Sequence, residues 1–278
     1  MASTDPATVI FATQSRFFRR DPRTADWFLI GNVPFLLLLV LGYVYVVKIG
    51  GPRFMKGRAP FEGIKPVIVI YNATMVLLNC YFVMAFLSKT YLGGGYSFFC
   101  QGIDFEARDE NTMSMLTHCW MYFWVRVFDF LDTAFFVLRK KESHVSLLHV
   151  AHHVLVVSTG WYGLAYGADG HTAFTIIFNS FVHVVMYSYY LLSLMGPSVR
   201  RYLWWKRYLT QLQMFQFVVL MLHASIPLFV DCGFPRVHIF IGLPQGVFFL
   251  VMFLRFYASA YSHRKTLTAQ NGFVKKRK

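Results

Sequence analysis

His149, His152 and His153 stand at spacings of three and one in the stretch HVAHH. At roughly 100° per residue on a helix, all three fall within about 100° of one face. They lie in the largely apolar segment 146–166, which is expected to cross a bilayer. Polar groups at membrane depth are costly unless they face a protein interior or a water-filled cavity. Neutral imidazoles clustered there can do two kinds of chemistry. They can bind a metal, or they can act as nucleophile and general base.

Other polar residues belong beside them. Arg126, Asp129, Asp132 and Thr133 share an arc of about 120° of the segment 114–138. Asn179, His183, Met186 and Tyr190 form a stripe at helical spacing, with Tyr187 and Tyr189 next to it. Thr210, Gln213 and Gln216 open a further segment, while Gln211 points about 140–160° away from the other two glutamines. At 1.5 Å per residue, most of these groups lie within about 20 Å of one membrane face. The economical arrangement turns the stripes toward one another around a cavity. His118, His223 and His238 have no such company and read as packing residues.

The elements that position these groups follow from composition. Of 278 residues, 56% are hydrophobic and 14% charged, which is wrong for a soluble domain of this length. Apolar runs near 28–48, 64–88, 114–138, 146–166, 172–195, 203–228 and 237–260 predict seven spans. The fold expected is an all-α integral membrane protein of seven transmembrane helices, the later six enclosing a central substrate tunnel open to the cytosol. Its expected organisation is an N-terminal tail over 1–26, a membrane domain over 27–262 and a basic tail over 263–278.

The net charge of +14 is distributed by topology rather than for nucleic acid. Lys48, Arg53, Lys56, Arg58 and Lys65 fill the first loop, Arg139 to Lys141 the third, and Arg200, Arg201, Lys206 and Arg207 the fifth. The alternate loops hold few cations. This alternation predicts a cytosolic C-terminus and a luminal N-terminal tail, although Arg16, Arg19, Arg20 and Arg23 run against it. Cys100 and Cys232 fall in luminal loops and are expected to form a disulfide.

Four motifs resemble the ELO family of very-long-chain fatty acid elongases. HVAHH is similar to its histidine box, and Arg126 to Thr133 to its KxxExxDT element. Asn179 to Tyr190 matches NxxxHxxMYxYY, and Thr210 to Phe217 matches TQxQxxQF. Arg126 and Asp129 stand where the family has Lys and Glu, and Ala151 where it usually has an aromatic residue. The resemblance implies the condensation of an acyl-CoA with malonyl-CoA to a 3-oxoacyl-CoA two carbons longer, releasing CO2 and CoA. It implies ping-pong chemistry through an acyl-histidine and residence in the endoplasmic reticulum. No metal or redox cofactor is expected. Expected partners are the two CoA substrates, membrane lipid, other elongation-cycle enzymes and a second copy of the chain.

On this reading His152 is the nucleophile and His183 faces it. His149 and His153 orient or deprotonate it, Asp132 fixes a tautomer, and Asp129 pairs with Arg126 near the thioester. Asn179 and Tyr187 donate to oxyanions. Tyr189, Tyr190, Thr210, Gln213 and Gln216 contact substrate. Arg139, Lys141, Lys206, Arg207 and Arg264 hold the CoA phosphates. Lys275 and Lys276 match a dilysine retrieval signal. Two other readings remain open from the residues: a di-iron desaturase or hydroxylase, which also uses HxxHH, and a seven-span transporter or receptor.

Overall fold

The computed structural model describes residues 20–262, and among them every regular element is helical. The helices are α1 (Val33–Met55), α2 (Lys65–Lys89), α3 (Glu110–Phe128), α4 (Phe130–Leu138), α5 (Leu147–Tyr166), α6 (Ala173–Leu194), α7 (Lys206–Ser225) and α8 (Val237–Tyr257). Among the described residues, five stretches are long and apolar enough to cross a membrane: Val33–Met55, Glu62–Lys89, Gly170–Leu194, Lys206–Leu228 and Val237–Tyr261. The other two expected spans, α3 with α4 and α5, carry most of the buried polar residues. Large side chains such as Leu38, Leu77, Leu222 and Phe240 are exposed on the outside, as a surface facing lipid requires.

Local chemistry sets the boundaries. The first helix was expected from 28 but starts at Val33, where Pro34 suits the first turn and the Asn32 side chain accepts from the Phe35 N–H at 3.0 Å. Residues 28–31 form turns instead, with Leu29 and Ile30 buried. Ser146 caps α5 by accepting from the His149 N–H at 3.2 Å, and Asp109 caps α3 through Thr112. The third span is interrupted at Asp129, which ends α3 and begins α4. Gly51 of α1 meets Val137 of α4 so closely that a β-carbon would fall 2.7 Å from the valine. That contact brings α1 against the helix carrying Thr133.

The two ends of the bundle differ. At the basic end, Lys48 Nζ donates to the Val145 carbonyl at 2.9 Å and Arg139 pairs with Glu62 at 3.0 Å. At the opposite end Cys100 and Cys232 form a disulfide with Cα atoms 5.9 Å apart. Part of the expected N-terminal tail docks there. Asp21, Arg23 and Thr24 are buried, and Arg23 bonds to Asp21 at 2.7 Å and Asp169 at 2.8 Å. Burial alone would lower the Arg23 pKa, but the hydrogen bonds and charges of both aspartates hold it above its ordinary value.

Candidate active site

Two polar clusters meet near the middle of the bundle, one built on α3 and the other on the histidine box. Arg126 is 2% exposed, which an unpaired guanidinium could not tolerate. Its Nη1 lies 3.1 Å from Asp129 Oδ2 and its Nη2 donates to Asn79 Oδ1 at 2.9 Å. The face of Tyr122 lies 4.8 Å from the guanidinium carbon. Nη1 also contacts Nδ1 of His183. Nε2 of the same ring lies 3.2 Å from Nη1, and because a guanidinium only donates, the imidazole accepts from it. The hydroxyl of Tyr187, fully buried, lies 2.9 Å from Asp129 Oδ1 and 2.7 Å from Asp132 Oδ2, with the Tyr71 hydroxyl 3.4 Å away.

The histidine box forms the other cluster. Thr133 Oγ1 lies 2.8 Å from His149 Nε2, and His153 Nε2 lies 3.2 Å from the same nitrogen. The ring of His152 lies 5.7 Å from that of His153 and 5.0 Å from that of Phe249. His183 is within electrostatic reach of both His152 and His153. Among the described residues, no three His, Cys, Asp or Glu side chains are disposed to hold one metal ion.

His152 lines a cavity of about 290 Å³ together with Asn179 and Gln216. The walls are mostly apolar or small, among them Phe123, Val156, Gly160, Gly163 and Leu220, and the cavity continues to His171, His223, Phe234 and His238. Helices α3, α5, α6, α7 and α8 line it, whereas α2 packs outside, most extensively against α6. From His152 to Gly167 along α5 is about 22 Å, so the cavity runs from the box toward the disulfide end. Asn179 Oδ1 accepts from Tyr122 at 2.6 Å, which orients the amide.

Several expected roles change. Asp132 was expected to fix an imidazole tautomer, but its partner is Tyr187; Thr133 touches the histidine instead. Tyr187 was expected to stabilise an oxyanion, but its one hydrogen is engaged by carboxylates. Tyr189, Tyr190, Thr210 and Gln213 do not line the cavity. Tyr189 packs on Trp205, Tyr190 on Tyr187, Thr210 bonds to the Lys206 carbonyl, and Gln213 reaches Met186 Sδ at 3.6 Å. His223 and His238, read as plain packing residues, sit in the cavity wall, whereas His118 bonds to Tyr81 at 2.8 Å.

At the basic end Lys141 lies within the fields of Arg139 and Arg200, and His144 within those of Lys141 and Lys206. Partial desolvation first, and these cations second, lower the pKa of both groups. Arg207 instead covers the ring of Tyr208 at 4.9 Å. Arg264, Lys275 and Lys276 lie outside the described residues. The pattern reading missed Asn79, Tyr71, Tyr43, His144 and Arg200. Asn79 alone carried a usable signal, as an amide at mid-span.

Fold and site together define a class: a helical membrane protein with imidazoles, a guanidinium and carboxylates gathered at one end of a long apolar cavity. The sequence matches the family model described as ELO, GNS1/SUR4 family, over residues 28–269, and the chain belongs to that family. It is 43% identical to a very long chain fatty acid elongase of Aedes aegypti over 88% of this chain and 68% of that protein. It is 40% identical to very long chain fatty acid elongase 7 of Rattus norvegicus, over 92% of this chain and 91% of the relative. Elongase 4 of Mus musculus is likewise 40% identical, over 91% and 81%.

Proposed function

We propose that this membrane enzyme of fatty acid elongation catalyses the condensing step. An acyl-CoA would transfer its acyl group to His152, and malonyl-CoA would then extend it by two carbons. Family membership and the relatives named above support the elongase reading. One observation carries the finer mechanism: His152 stands at the polar end of an apolar cavity, with three more imidazoles close behind it.

In the first half-reaction an imidazole nitrogen of His152 attacks the thioester carbonyl, and the carbon–sulfur bond breaks. CoA leaves as the thiol, taking the imidazole proton through the box, and an acyl-imidazole remains. The cavity beyond His152 then holds the acyl tail. In the second half-reaction malonyl-CoA loses CO2, and the carbon–carbon electron pair becomes an enolate. That carbanion equivalent attacks the acyl carbon and expels His152, whose nitrogen takes up one proton from solvent as it leaves, giving the 3-oxoacyl-CoA. Asn179, in the cavity wall and oriented by Tyr122, is the amide donor for the developing oxyanions. Arg126 sets the ring of His183 rather than reaching a phosphate.

The cations at the basic end suit a CoA handle, with Arg139, Lys141, Arg200 and Lys206 as its phosphate partners. The same reading puts the protein in the endoplasmic reticulum membrane with the C-terminus cytosolic, where enzymes that reduce and dehydrate the product would meet it. Purified protein given acyl-CoA alone should release free CoA and gain one acyl mass. His152→Ala should do neither. An undiminished mass increment in that variant removes His152 as the nucleophile.

A further inference from the structure

We infer that the far end of the cavity is a subsite for a hydroxyl group, and that the enzyme takes acyl chains carrying an alcohol at the ω-carbon. Turnover of such chains rests on the condensing reading above; the hydroxyl subsite itself does not. Three buried polar atoms at that end have no hydrogen-bond partner: His171 Nδ1, His238 Nε2 and Tyr162 Oη. All three residues line the cavity. Tyr162 comes from α5, His171 from the turn ahead of α6, and His238, whose ring also meets the Tyr166 backbone, from α8.

Their rings form one run. Tyr162 lies 5.2 Å from His238, His238 5.3 Å from Phe234, and Phe234 5.4 Å from His171. Two helices agree on the depth. At 1.5 Å per residue, Tyr162 lies about 15 Å beyond His152 along α5, and His238 about 16 Å beyond Phe249, the neighbour of His152, along α8. The floor is also held from behind. His223 stacks on His171 at 3.9 Å and on Phe174 at 4.1 Å, and its Nε2 donates to the Phe98 carbonyl at 2.9 Å, close to the disulfide.

The partners of His171 settle what it offers. Its Nε2 lies 2.7 Å from the His223 carbonyl, which only accepts, so the proton is on Nε2. An imidazolium there would be a buried charge without a counter-ion, because Asp169, the nearest acid in sequence, is paired with Arg23. The ring is therefore neutral, and Nδ1 presents a lone pair. Tyr162 adds a hydroxyl hydrogen. An alcohol can donate to the imidazole or accept from the phenol, whereas a terminal methyl can do neither. Among the described residues no Lys or Arg lines the cavity, so the subsite suits a neutral alcohol and excludes an ω-carboxylate.

The test compares each acyl-CoA with its ω-hydroxy counterpart, from decanoyl- to stearoyl-CoA, by kcat/KM for condensation. A hydroxyl that stops among Val156, Gly160 and Leu220 is buried unpaired and should be disfavoured roughly tenfold or more. At the length that reaches the floor the hydroxyl should instead be preferred about fivefold, the factor of one net hydrogen bond. His171→Phe and Tyr162→Phe should each lower that preference. Both substrates are measured on one preparation, so the folded fraction of a variant cancels from the ratio. A hydroxyl disfavoured at every length overturns the inference, because ordered water then keeps the site. A preference that neither variant lowers, or an ω-carboxy chain accepted as well as the alcohol, overturns it too. Protein labelled with 15N-histidine gives a readout independent of turnover. Bound ω-hydroxypalmitoyl-CoA should move the His171 Nδ1 resonance away from its position with palmitoyl-CoA, and identical spectra overturn the subsite. Protein that shows this shift but releases no CO2 from malonyl-CoA overturns only the condensing reaction.

Discussion

Tyr187 has one phenolic hydrogen and two carboxylate neighbours, Asp129 Oδ1 at 2.9 Å and Asp132 Oδ2 at 2.7 Å. Ionised carboxylates only accept, so two ionised aspartates would leave one short contact with no hydrogen in it. Asp129 has the Arg126 guanidinium at 3.1 Å and keeps its charge. Counting hydrogens places a proton on Asp132, which donates to the Tyr187 oxygen while Tyr187 donates to Asp129. Asparagine reproduces that pattern, its amide N–H standing in for the acid O–H. Asp132→Asn should therefore cost no more than about 1 kcal/mol. Asp129→Asn has the opposite effect, because it leaves a guanidinium 2% exposed without its counter-charge. Stranding one member of a buried pair costs about 3–5 kcal/mol. The surviving bond to Asn79 and the Tyr122 face put this case near the lower limit. Thermal unfolding in detergent micelles, beside turnover of labelled malonyl-CoA, measures both variants. If Asp132→Asn is damaged as severely as Asp129→Asn, the proton assignment is wrong and Asp132 works as an anion.

Binding of CoA to the basic end should be coupled to protons. The pKa values of Lys141 and His144 are held below their ordinary values of 10.5 and 6.5. A bound phosphate favours their charged forms and raises both, so binding takes up protons wherever the free group is still deprotonated. For His144 the affinity should strengthen as pH falls below 6.5 and level off under its depressed value. Calorimetry in buffers of different ionisation enthalpy measures the uptake, and an affinity independent of pH across that interval refutes it. The cavity offers a second test. Gly163 and Gly242 line it, and a β-carbon at either position would meet nothing within 4 Å. Gly163→Leu should fill space that the acyl tail occupies, shortening the products at nearly unchanged kcat for short substrates. An unaltered product profile would place the tail elsewhere.

Much of this architecture is legible in the order of residues alone. Runs of apolar residues locate helices because a bilayer-length helix needs about 20 of them, and α2, α5, α6, α7 and α8 fall close to the expected positions. The start of α1 did not, because hydropathy does not register how Pro34 and Asn32 set a first turn. Arg126 beside Asp129 was legible as well, since spacing on one helix fixes which side chains are neighbours. Partners on other helices were not. That Asp132 faces Tyr187, that Thr133 faces His149, and that Asn79 reaches Arg126 all depend on helix rotation and interhelical distance, which periodicity within one segment leaves undetermined. The reversal of His223 and His238 from packing residues to cavity wall has the same cause.

The distribution of hydropathy carries a further argument. Of the seven expected spans, the two least apolar are α3 with α4 and α5. These are the helices that supply Arg126, Asp129, Asp132, Thr133 and the HVAHH box. A helix can lower its hydropathy this far only if neighbours shield its polar face, because unsatisfied groups in hydrocarbon cost several kcal/mol each. Here α2 shields Arg126 through Asn79, α6 through His183, and α1 closes over Thr133 through Tyr43. These three apolar helices are thus more than anchors: each presents a hydrogen-bonding atom where the central helices cannot satisfy their own. Replacing that atom with an isosteric apolar group should therefore impair the site while leaving the outer helix in place.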